Sequence, residues 1–502
     1  AGPVAGATAL PPLARPLIMG VALGYLGLIV AISVWASRRT RTASDFFVAG
    51  EGIGLVALTV ASVSTSVSGF AFIGGPGLLY SAGLGALFIS LSASVTNVMG
   101  AWVLAKRMRL LGEVRPMLTV PDAIGARYDS PAAQGLAAVA ILVGVVGYMA
   151  TNALAMGVVL DAIFGVGLVP GVWIGMGITL AYSVAGGILA GIYNDVLQGT
   201  LMAISSVLVF AVVLQLGGGG LGGHSRAILA TDPQFLGPFG KMAPLQALSL
   251  FFVFGVGSLG QPAAIHKYYM LRDPRQLRWY PLLKTVGLVL VLLLFFGVGV
   301  AMKSMVASGR VPPLARPDDA TPTFLLQFTP TLLAALVFSG VAAATMSITN
   351  SFMNIGAAAI THDLPRAFGR TVRDPLRTGR IATVVISLLA IAVATASKSM
   401  VAFLGIFGYG LFASTLVPAL AIGLNWQGAT RAGAIASIST GLVVTLACET
   451  LAFLKVISVP AGVSVAGLSL ACSMLVFFAV SRLTRHGAAA TLADDIRLVM
   501  ES

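Results

Sequence analysis

The chain has 502 residues, of which 57% are hydrophobic and only 9% are charged. A soluble domain carries roughly a quarter charged residues, so this composition excludes an ordinary water-soluble fold. The net charge of +13 lies in short loops between apolar segments, a distribution that speaks against nucleic-acid binding. These segments are about 20 residues long and lack strict alternation. They predict an all-α membrane protein.

About thirteen membrane spans are predicted. In chain order they cover residues 17–35, 53–80, 85–105, 132–163, 168–185, 195–216, 246–262, 280–302, 330–358, 379–397, 400–424, 431–451 and 460–482. With the N-terminus outside, the inner loops hold most of the Lys and Arg residues, Lys267 among them, as the positive-inside rule requires. We therefore predict a multi-pass protein of the cell inner (plasma) membrane, with an outer N-terminus and a cytoplasmic C-terminus.

Three loops are long enough to carry structure of their own. The outer stretches 217–245 and 303–329 are candidates for lids or re-entrant segments, because loops of such length are uncommon unless functional or disordered. The inner stretch 106–131 predicts a short amphipathic helix at the membrane surface.

Two spans contain helix-breaking sequences. The second has a run of hydroxyl residues, Ser62 to Ser68, followed by Gly69 and by Gly74–Gly77, and the seventh ends in Gly260-Gln261-Pro262. One interpretation is that the glycines allow close helix packing. The other is that paired breaks mark a transporter's central site. Because the two spans lie five apart, the two halves would enter the membrane from opposite faces, which predicts a 5+5 inverted repeat.

The predicted organisation is one transmembrane transporter domain covering residues 1–502. Its parts are a first span and loop (17–52), a first repeat (53–216), a second repeat (246–424), and two C-terminal spans with a cytoplasmic tail (425–502).

The ninth span carries a polar stripe at helical spacing, formed by Ser347, Asn350, Ser351 and Asn354. A polar stripe on an apolar helix faces protein, water or ligand. Hydrogen bonding between helices and a hydrated, ion-lined face are the two interpretations of this stripe.

The order and spacing of these motifs resemble those of the sodium/solute symporter family, which includes proline, sugar and monocarboxylate carriers. The stretches that carry the resemblance are Ser66-Val67-Ser68-Gly69, Gly75-Pro76-Gly77, Tyr182 to Ala190 with Asn194 to Gln198, Gly260-Gln261-Pro262, and Thr361 to Leu364. The resemblance implies a leucine-transporter-type fold. It also implies symport of a small organic solute, such as an amino acid or a monocarboxylate, coupled to a cation. No cluster of His, Asp and Glu suggests an enzyme or a metal centre.

By this resemblance, sodium would bind where the broken second span meets the ninth. The implied ligands are the carbonyls of Ser64, Val67 and Ala344 and the hydroxyl of Ser347. Ile348 stands where the family has a second hydroxyl, and an alkyl group cannot coordinate a hard cation. A proton-coupled or uncoupled carrier, or a transporter-like solute sensor, therefore stays an alternative.

Two charged residues fall inside apolar segments. Asp195 matches an acidic residue near the inner end of span six, which implies a place on the cation path, although capping of a helix N-terminus is an alternative. Lys284 lies near the inner end of span eight, and we expect its side chain to extend to the inner surface.

The solute is expected between the two breaks, near the midplane. The candidate residues are Ser66, Ser68, Gly69, Phe70, Tyr148, Asn152, Phe254, Ser258, Gln261, Phe407 and Tyr409. For Phe70 and Phe407 the alternative is ordinary core packing. None of these residues is acidic, which favours a small neutral, zwitterionic or anionic solute over a polyol.

Overall fold

The computed structural model describes residues 14–37, 54–270, 278–397, 400–456, 463–485 and 492–501. Within these ranges all regular structure is helical, and ten helical segments are long and apolar enough to cross a membrane. The loop 38–53, part of the predicted basic inner surface, lies outside the described residues. Inner and outer are the sides given by the predicted orientation.

The described residues of the first half form eight α-helices. They are α1 (Ala14–Ser37), α2 (Leu55–Ser66), α3 (Gly75–Ala82), α4 (Leu87–Gly100), α5 (Lys106–Val114), α6 (Val120–Tyr128), α7 (Pro131–Phe164) and α8 (Leu168–Leu216).

In the second half, the part of the chain that the structure describes adds twelve more. They are α9 (Leu221–Leu229), α10 (Pro244–Gly257), α11 (Pro262–His266), α12 (Tyr280–Ala307), α13 (Ala320–Phe328), α14 (Thr331–Ala358), α15 (Leu364–Ala367), α16 (Pro375–Ala396), α17 (Val401–Leu416), α18 (Arg431–Phe453), α19 (Val465–Leu483) and α20 (Asp494–Glu501).

The second span is broken as predicted. Helix α2 ends at Ser66, Val67 is extended (φ −105°, ψ 121°), and the chain resumes as a π-helical turn, Phe70–Gly74, that leads into α3. The hydroxyls of Thr65 and Ser66 bond back to carbonyls four residues earlier, at 2.6 and 2.7 Å. Such local bonds are common where Ser and Thr occur near a helix bend or end.

The seventh span is also broken at its predicted motif. Helix α10 gives way to a 3₁₀ turn, Ser258–Gly260, and Gln261 is extended (φ −73°, ψ 106°) before α11 begins at Pro262. The residue before a proline is biased away from the helical region, so Gln261 is a natural break point.

The unbroken helix α7 packs against α8, α14, α16 and α17, and α12 packs against α2, α3, α4 and α8. The two broken spans therefore lie among long continuous helices. Helices α18 and α19 pack against each other and against α17.

The boundary between predicted spans five and six differs from the expectation. The backbone is helical throughout α8, whose apolar parts are Leu168–Ala181 and Tyr193–Leu216. Asp195 is thus inside a helical segment, so the alternative that it caps a helix N-terminus is wrong. The side chains of residues 184–192, most of which belong to the motif from Tyr182 to Ala190, lie outside the described part of the structure.

Both long outer stretches fold onto the outer half of the second span. The backbone of Lys241 bonds the carbonyl of Ala82 at 2.7 Å, and Thr321 Oγ1 donates to the carbonyl of Phe72 at 2.6 Å. Gly77 is required there, because a Cβ at this position would lie 2.7 Å from the Pro317 carbonyl oxygen. The predicted inner stretch 106–131 contains two short helices, α5 and α6.

Candidate functional site

A cavity of about 70 Å³ lies between the two breaks. Hydroxyl and amide groups come from the broken spans, and aromatic and aliphatic side chains close the remaining sides. The lining residues are Thr65, Ser66, Val67, Ser68, Phe70, Ala71, Ile89, Ser90, Tyr148, Phe254, Ser258, Gln261, Ala263, Ala264, Leu288, Leu292, Phe295, Ile348 and Tyr409. None of these side chains carries a formal charge.

Stacked aromatic rings form one wall of the cavity. The Phe254 ring lies 4.4 Å from that of Tyr409 and 5.5 Å from that of Phe70, both nearly parallel. Tyr148 adds a hydroxyl that shares a hydrogen bond with Ser68 at 3.2 Å. Such a wall suits the apolar part of a small solute, with a few polar groups to orient it.

Most of the predicted solute residues meet in this cavity. Eight of them line it, namely Ser66, Ser68, Phe70, Tyr148, Phe254, Ser258, Gln261 and Tyr409. Gly69, Asn152 and Phe407 do not. Asn152 Oδ1 instead accepts a hydrogen bond from the backbone N–H of Gly69 at 2.9 Å, and Phe407 packs against Gly147.

Sequence reasoning missed the apolar lining residues of α4 and α12. Ile89, Leu288, Leu292 and Phe295 are aliphatic or aromatic residues in apolar helices. Nothing local distinguishes a cavity-lining Leu from a core Leu, so only the fold reveals them.

A buried polar group, formed by Asp195, Ser347 and Lys267, lies on the inner side of the cavity. Ser347 Oγ donates a hydrogen bond to Asp195 Oδ1. Lys267 Nζ donates to Asp195 Oδ2 at 2.7 Å and to the carbonyl of Ala61 at 2.8 Å. Asp195 and Lys267 are each 5% exposed. The carboxylate thus joins span six to span nine and to the inner half of span seven.

Lys267 corrects one expectation. Charge counting assigned it to an inner loop, whereas its ammonium is buried and paired. A buried ion pair requires both partners, because removing one leaves an uncompensated charge that costs about 3–5 kcal/mol.

The predicted cation ligands fit a hard cation in part. Ser64 Oγ is buried and makes no hydrogen bond within the described part of the chain, so it is an oxygen available for a ligand. The hydroxyl of Ser347, by contrast, is engaged by Asp195. Ile348 lines the solute cavity with its alkyl side chain and offers no side-chain oxygen.

The expectation for Lys284 was wrong. Its side chain is 1% exposed and does not extend to the surface of the protein. Its Nζ lies 5.7 Å from the centre of the Tyr280 ring.

A second polar cluster lies near the inner ends of α6 and α14. Asp122 accepts hydrogen bonds from His362 at 3.0 Å, Arg366 at 3.1 Å and Gln134 at 2.8 Å. Burial alone would raise the pKa of Asp122, but its bonds and the charges of His362 and Arg366 together hold that pKa below its ordinary value. Although Asp122, His362 and Asp363 are close enough to chelate an ion, Arg366 already supplies positive charge to this cluster.

Two helices broken near a shared cavity, with long unbroken helices around them, define a class of protein. They are the architecture of a secondary transporter with discontinuous membrane helices.

Comparisons with known proteins agree with this assignment to the secondary transporters. The model of the Sodium:solute symporter family matches residues 46–441. The sodium/pantothenate symporter of Escherichia coli is 26% identical over 443 residues, covering 86% of this chain and 90% of the relative. The sodium/proline symporter of Haemophilus influenzae is 27% identical over 449 residues, covering 84% and 86%.

The solved structures agree on the fold. A Na⁺-coupled sialic acid symporter matches with a TM-score of 0.75 at 17% identity, covering 93% of this chain and 98% of its own. Mhp1, a nucleobase-cation-symport-1 family transporter, matches with a TM-score of 0.57 at 14% identity, covering 92% and 99%. These neighbours confirm the predicted leucine-transporter-type fold.

The chain belongs to the sodium:solute symporter family. It is a multi-pass membrane protein and a secondary active transporter, which carries a small organic solute by cation-coupled symport. It is not an enzyme.

Proposed function

We propose that sodium is the coupling cation and that it binds where the broken second span meets α14. The proposed ligands are the carbonyls of Ser64, Val67 and Ala344 and the hydroxyl of Ser347. The observation that carries this proposal is the unpartnered, buried hydroxyl of Ser64 beside a helix break. The Ser64 hydroxyl would be a further ligand, in place of the side-chain oxygen that Ile348 lacks. Relatives named for sodium symport lend further support.

Asp195 is proposed as the inner end of the cation path. Its carboxylate holds the Ser347 hydroxyl, so a cation that binds Ser347 would lie near a negative charge. Sodium would supply the driving force through different affinities for the outward- and inward-open states. Ser347 would exchange its bond with Asp195 for a bond with the cation.

The proposed solute is an amino acid or a monocarboxylate that binds in the cavity between the breaks. Ser68, Tyr148, Ser258 and Gln261 would provide polar contacts, and the stacked rings would hold the apolar part. Two of the relatives are named for proline and pantothenate, which are small organic solutes that each carry one carboxyl group.

Alternating access is proposed to follow from contacts that close each side. At the inner side Lys267 ties the seventh span to Asp195 and to α2. At the outer side Asp318 accepts a bond from the backbone of Val401, at the start of α17, at 2.9 Å. Opening either side requires breaking the contacts on that side. A bundle of spans two, three, seven and eight would rock against spans four, five, nine and ten.

The proposed placement is the inner membrane, with the N-terminus outside and the C-terminus in the cytoplasm. The proposed organisation keeps the two repeats at 53–216 and 246–424. Their opposite entry into the membrane is supported by the two breaks at corresponding positions.

A proton-coupled or uncoupled carrier is the second candidate. It is favoured by Lys267, whose ammonium neutralises Asp195 and bonds the carbonyl of Ala61, one helical turn before Ser64, and by Ile348, which offers no ligand oxygen. A carrier with such a built-in cation has less need of sodium.

One transport experiment separates these candidates. Purified protein in proteoliposomes is supplied with labelled proline or pantothenate under an inward sodium gradient, a proton gradient, or neither. Sodium-dependent accumulation supports the proposal, and equal accumulation in choline with a proton gradient supports the second candidate. Uptake that never exceeds equilibration under any gradient would contradict symport.

A further inference from the structure

Lys284 is a buried cation that the transport cycle described above does not use. It lies one turn inside the inner end of α12, and its side chain is almost completely enclosed. Ionisable residues inside a membrane span are rare and are associated with pathways or binding sites. Lys284 therefore requires a physical explanation.

No carboxylate among the described residues pairs with Lys284. Among the described residues, the charged group that acts on Lys284 is Lys267, which is itself paired with Asp195. Helices α2 and α4, which also pack against α12, carry no titratable side chain, and α8 contributes Asp195 near this end. Tyr280 presents its ring. The loop 271–277, which includes Asp273, lies outside the described residues.

Lys284 lies on the same face of α12 as the cavity wall. Leu288, Leu292 and Phe295 line the cavity, and Lys284 precedes Leu288 by one helical turn on that face. A solute that leaves the cavity toward the inner side along this wall reaches Lys284 next.

The cavity itself contains a second unused donor. Gln261 Nε2 is buried and makes no hydrogen bond to any described residue. No lining side chain is anionic. The site thus offers donors to an anion but no carboxylate to an ammonium group.

Building on the proposed function, we propose that the solute is a monocarboxylate and that Lys284 is its inner binding station. Gln261 Nε2 binds the carboxylate in the cavity, and the Lys284 ammonium attracts it as the inner side opens. A buried ammonium without a counter-ion is unfavourable, and a passing carboxylate relieves that cost. An amino acid brings an ammonium group that finds no anionic partner among the lining side chains.

Matched ligands test the solute class. Purified protein in detergent with sodium is screened by thermal stabilisation against pantothenate and panthenol, lactate and lactamide, and alanine and proline. We expect pantothenate and lactate to stabilise the protein. The neutral partners and the amino acids should bind at least about tenfold more weakly. Equal or stronger binding of the neutral partner or of the amino acids overturns the proposal, and so does stabilisation by no acid.

Three variants test the role of Lys284. Lys284→Met removes the charge at similar volume, Lys284→Arg keeps it, and Lys303→Met changes the other lysine of α12 as a matched control. We expect Lys284→Met alone to raise the half-saturating concentration for uptake of pantothenate by about tenfold. Its uptake of panthenol should be unchanged.

The folded state of each variant is checked by its unfolding temperature without ligand. An equal loss for acid and neutral solute in Lys284→Met, or a full loss in Lys284→Arg, contradicts the proposal. Asp273 is the alternative counter-ion of Lys284, so Asp273→Asn is measured as well. If this variant loses as much acid uptake as Lys284→Met does, Lys284 belongs to an internal ion pair and the proposal is overturned. Gradient-driven uptake that fails for every solute, while acids still bind, contradicts symport and leaves the carboxylate site supported.

Discussion

Ser347 Oγ donates a hydrogen bond to Asp195 Oδ1, although the two residues are 152 positions apart in the chain. One is a proposed ligand of the coupling cation, and the other is held by the Lys267 ammonium. The proposed cation site and the proposed inner closure are therefore physically connected through a single carboxylate.

Replacing Ser347 by alanine removes both a proposed ligand and the bond to Asp195. We expect the half-saturating sodium concentration to rise about tenfold or more, because a hydrogen bond to a charged group contributes about 1.5–3 kcal/mol. Binding of radioactive sodium to the purified protein measures this directly. Ser351→Ala, one turn further along α14, is the control, and an unchanged value in Ser347→Ala would remove this hydroxyl from the cation site.

Lys267 and Asp195 should show strong energetic coupling. Lys267→Met leaves the carboxylate buried and unpaired, so we expect a loss of about 3–5 kcal/mol in the free energy of unfolding. Lys267→Arg should keep most of the stability. In the double variant with Asp195→Asn the losses should be far from additive. Thermal and denaturant unfolding of the four proteins measure the coupling, and additive losses would show that the pair does not act as a unit.

Gly69 allows the break in the second span to fit against its neighbours. A Cβ there would lie 2.4 Å from the Ala155 Cβ and 2.8 Å from the Thr345 Cγ2. Gly69→Ala should therefore cost about 1–3 kcal/mol through overpacking and should impair transport. Gly177→Ala, in a helix where nothing lies within 4 Å, should not destabilise the protein. Equal unfolding temperatures for the two variants would contradict this account.

The outer contact at Asp318 should depend on pH. This carboxyl is 7% exposed, its Oδ1 has no hydrogen-bond partner among the described residues, and burial raises its pKa to about 6. Between the ordinary carboxyl pKa of about 4 and this value, the folded protein binds more protons than the unfolded chain. The contribution of Asp318 to the free energy of unfolding should therefore be greatest below pH 4 and should fall as the pH rises to about 6.

The variant Asp318→Asn keeps the side chain neutral at every pH. It should remove this pH dependence and should stabilise the outer contact at pH 7. Unfolding temperatures between pH 4 and 8 provide the test, with Asp494→Asn, a change at an exposed position, as the control. A pH dependence that is the same in Asp318→Asn and in the unmodified protein would contradict the prediction.

The features of the fold that the sequence predicted are those that depend on local sequence signals. The breaks at Val67 and Gln261 follow from hydroxyl, glycine and proline residues in apolar segments, whose effect on a helix is local. The cavity residues near these breaks, such as Ser68 and Ser258, could be predicted for the same reason.

The remaining errors arise from long-range contacts. Lys267 and Lys284 were assigned to the inner surface because charge counting treats a lysine near the end of a span as part of a loop. Burial of Lys267 depends on Asp195, which is distant in the chain, and no local pattern encodes that pairing. Asn152 was expected to contact the solute, but it binds the backbone of Gly69 instead.

This bond between Asn152 and Gly69 has a mechanical consequence. Asn152 belongs to α7, which runs without interruption from Pro131 to Phe164 and passes beside the broken span. Its amide nitrogen is itself bonded to the Tyr148 carbonyl at 2.9 Å, so its orientation is set by its own helix. As long as the bond to Gly69 persists, one point of the second span keeps a fixed position along the membrane normal relative to α7. The two helical halves of that span then pivot about this point and do not slide through the membrane.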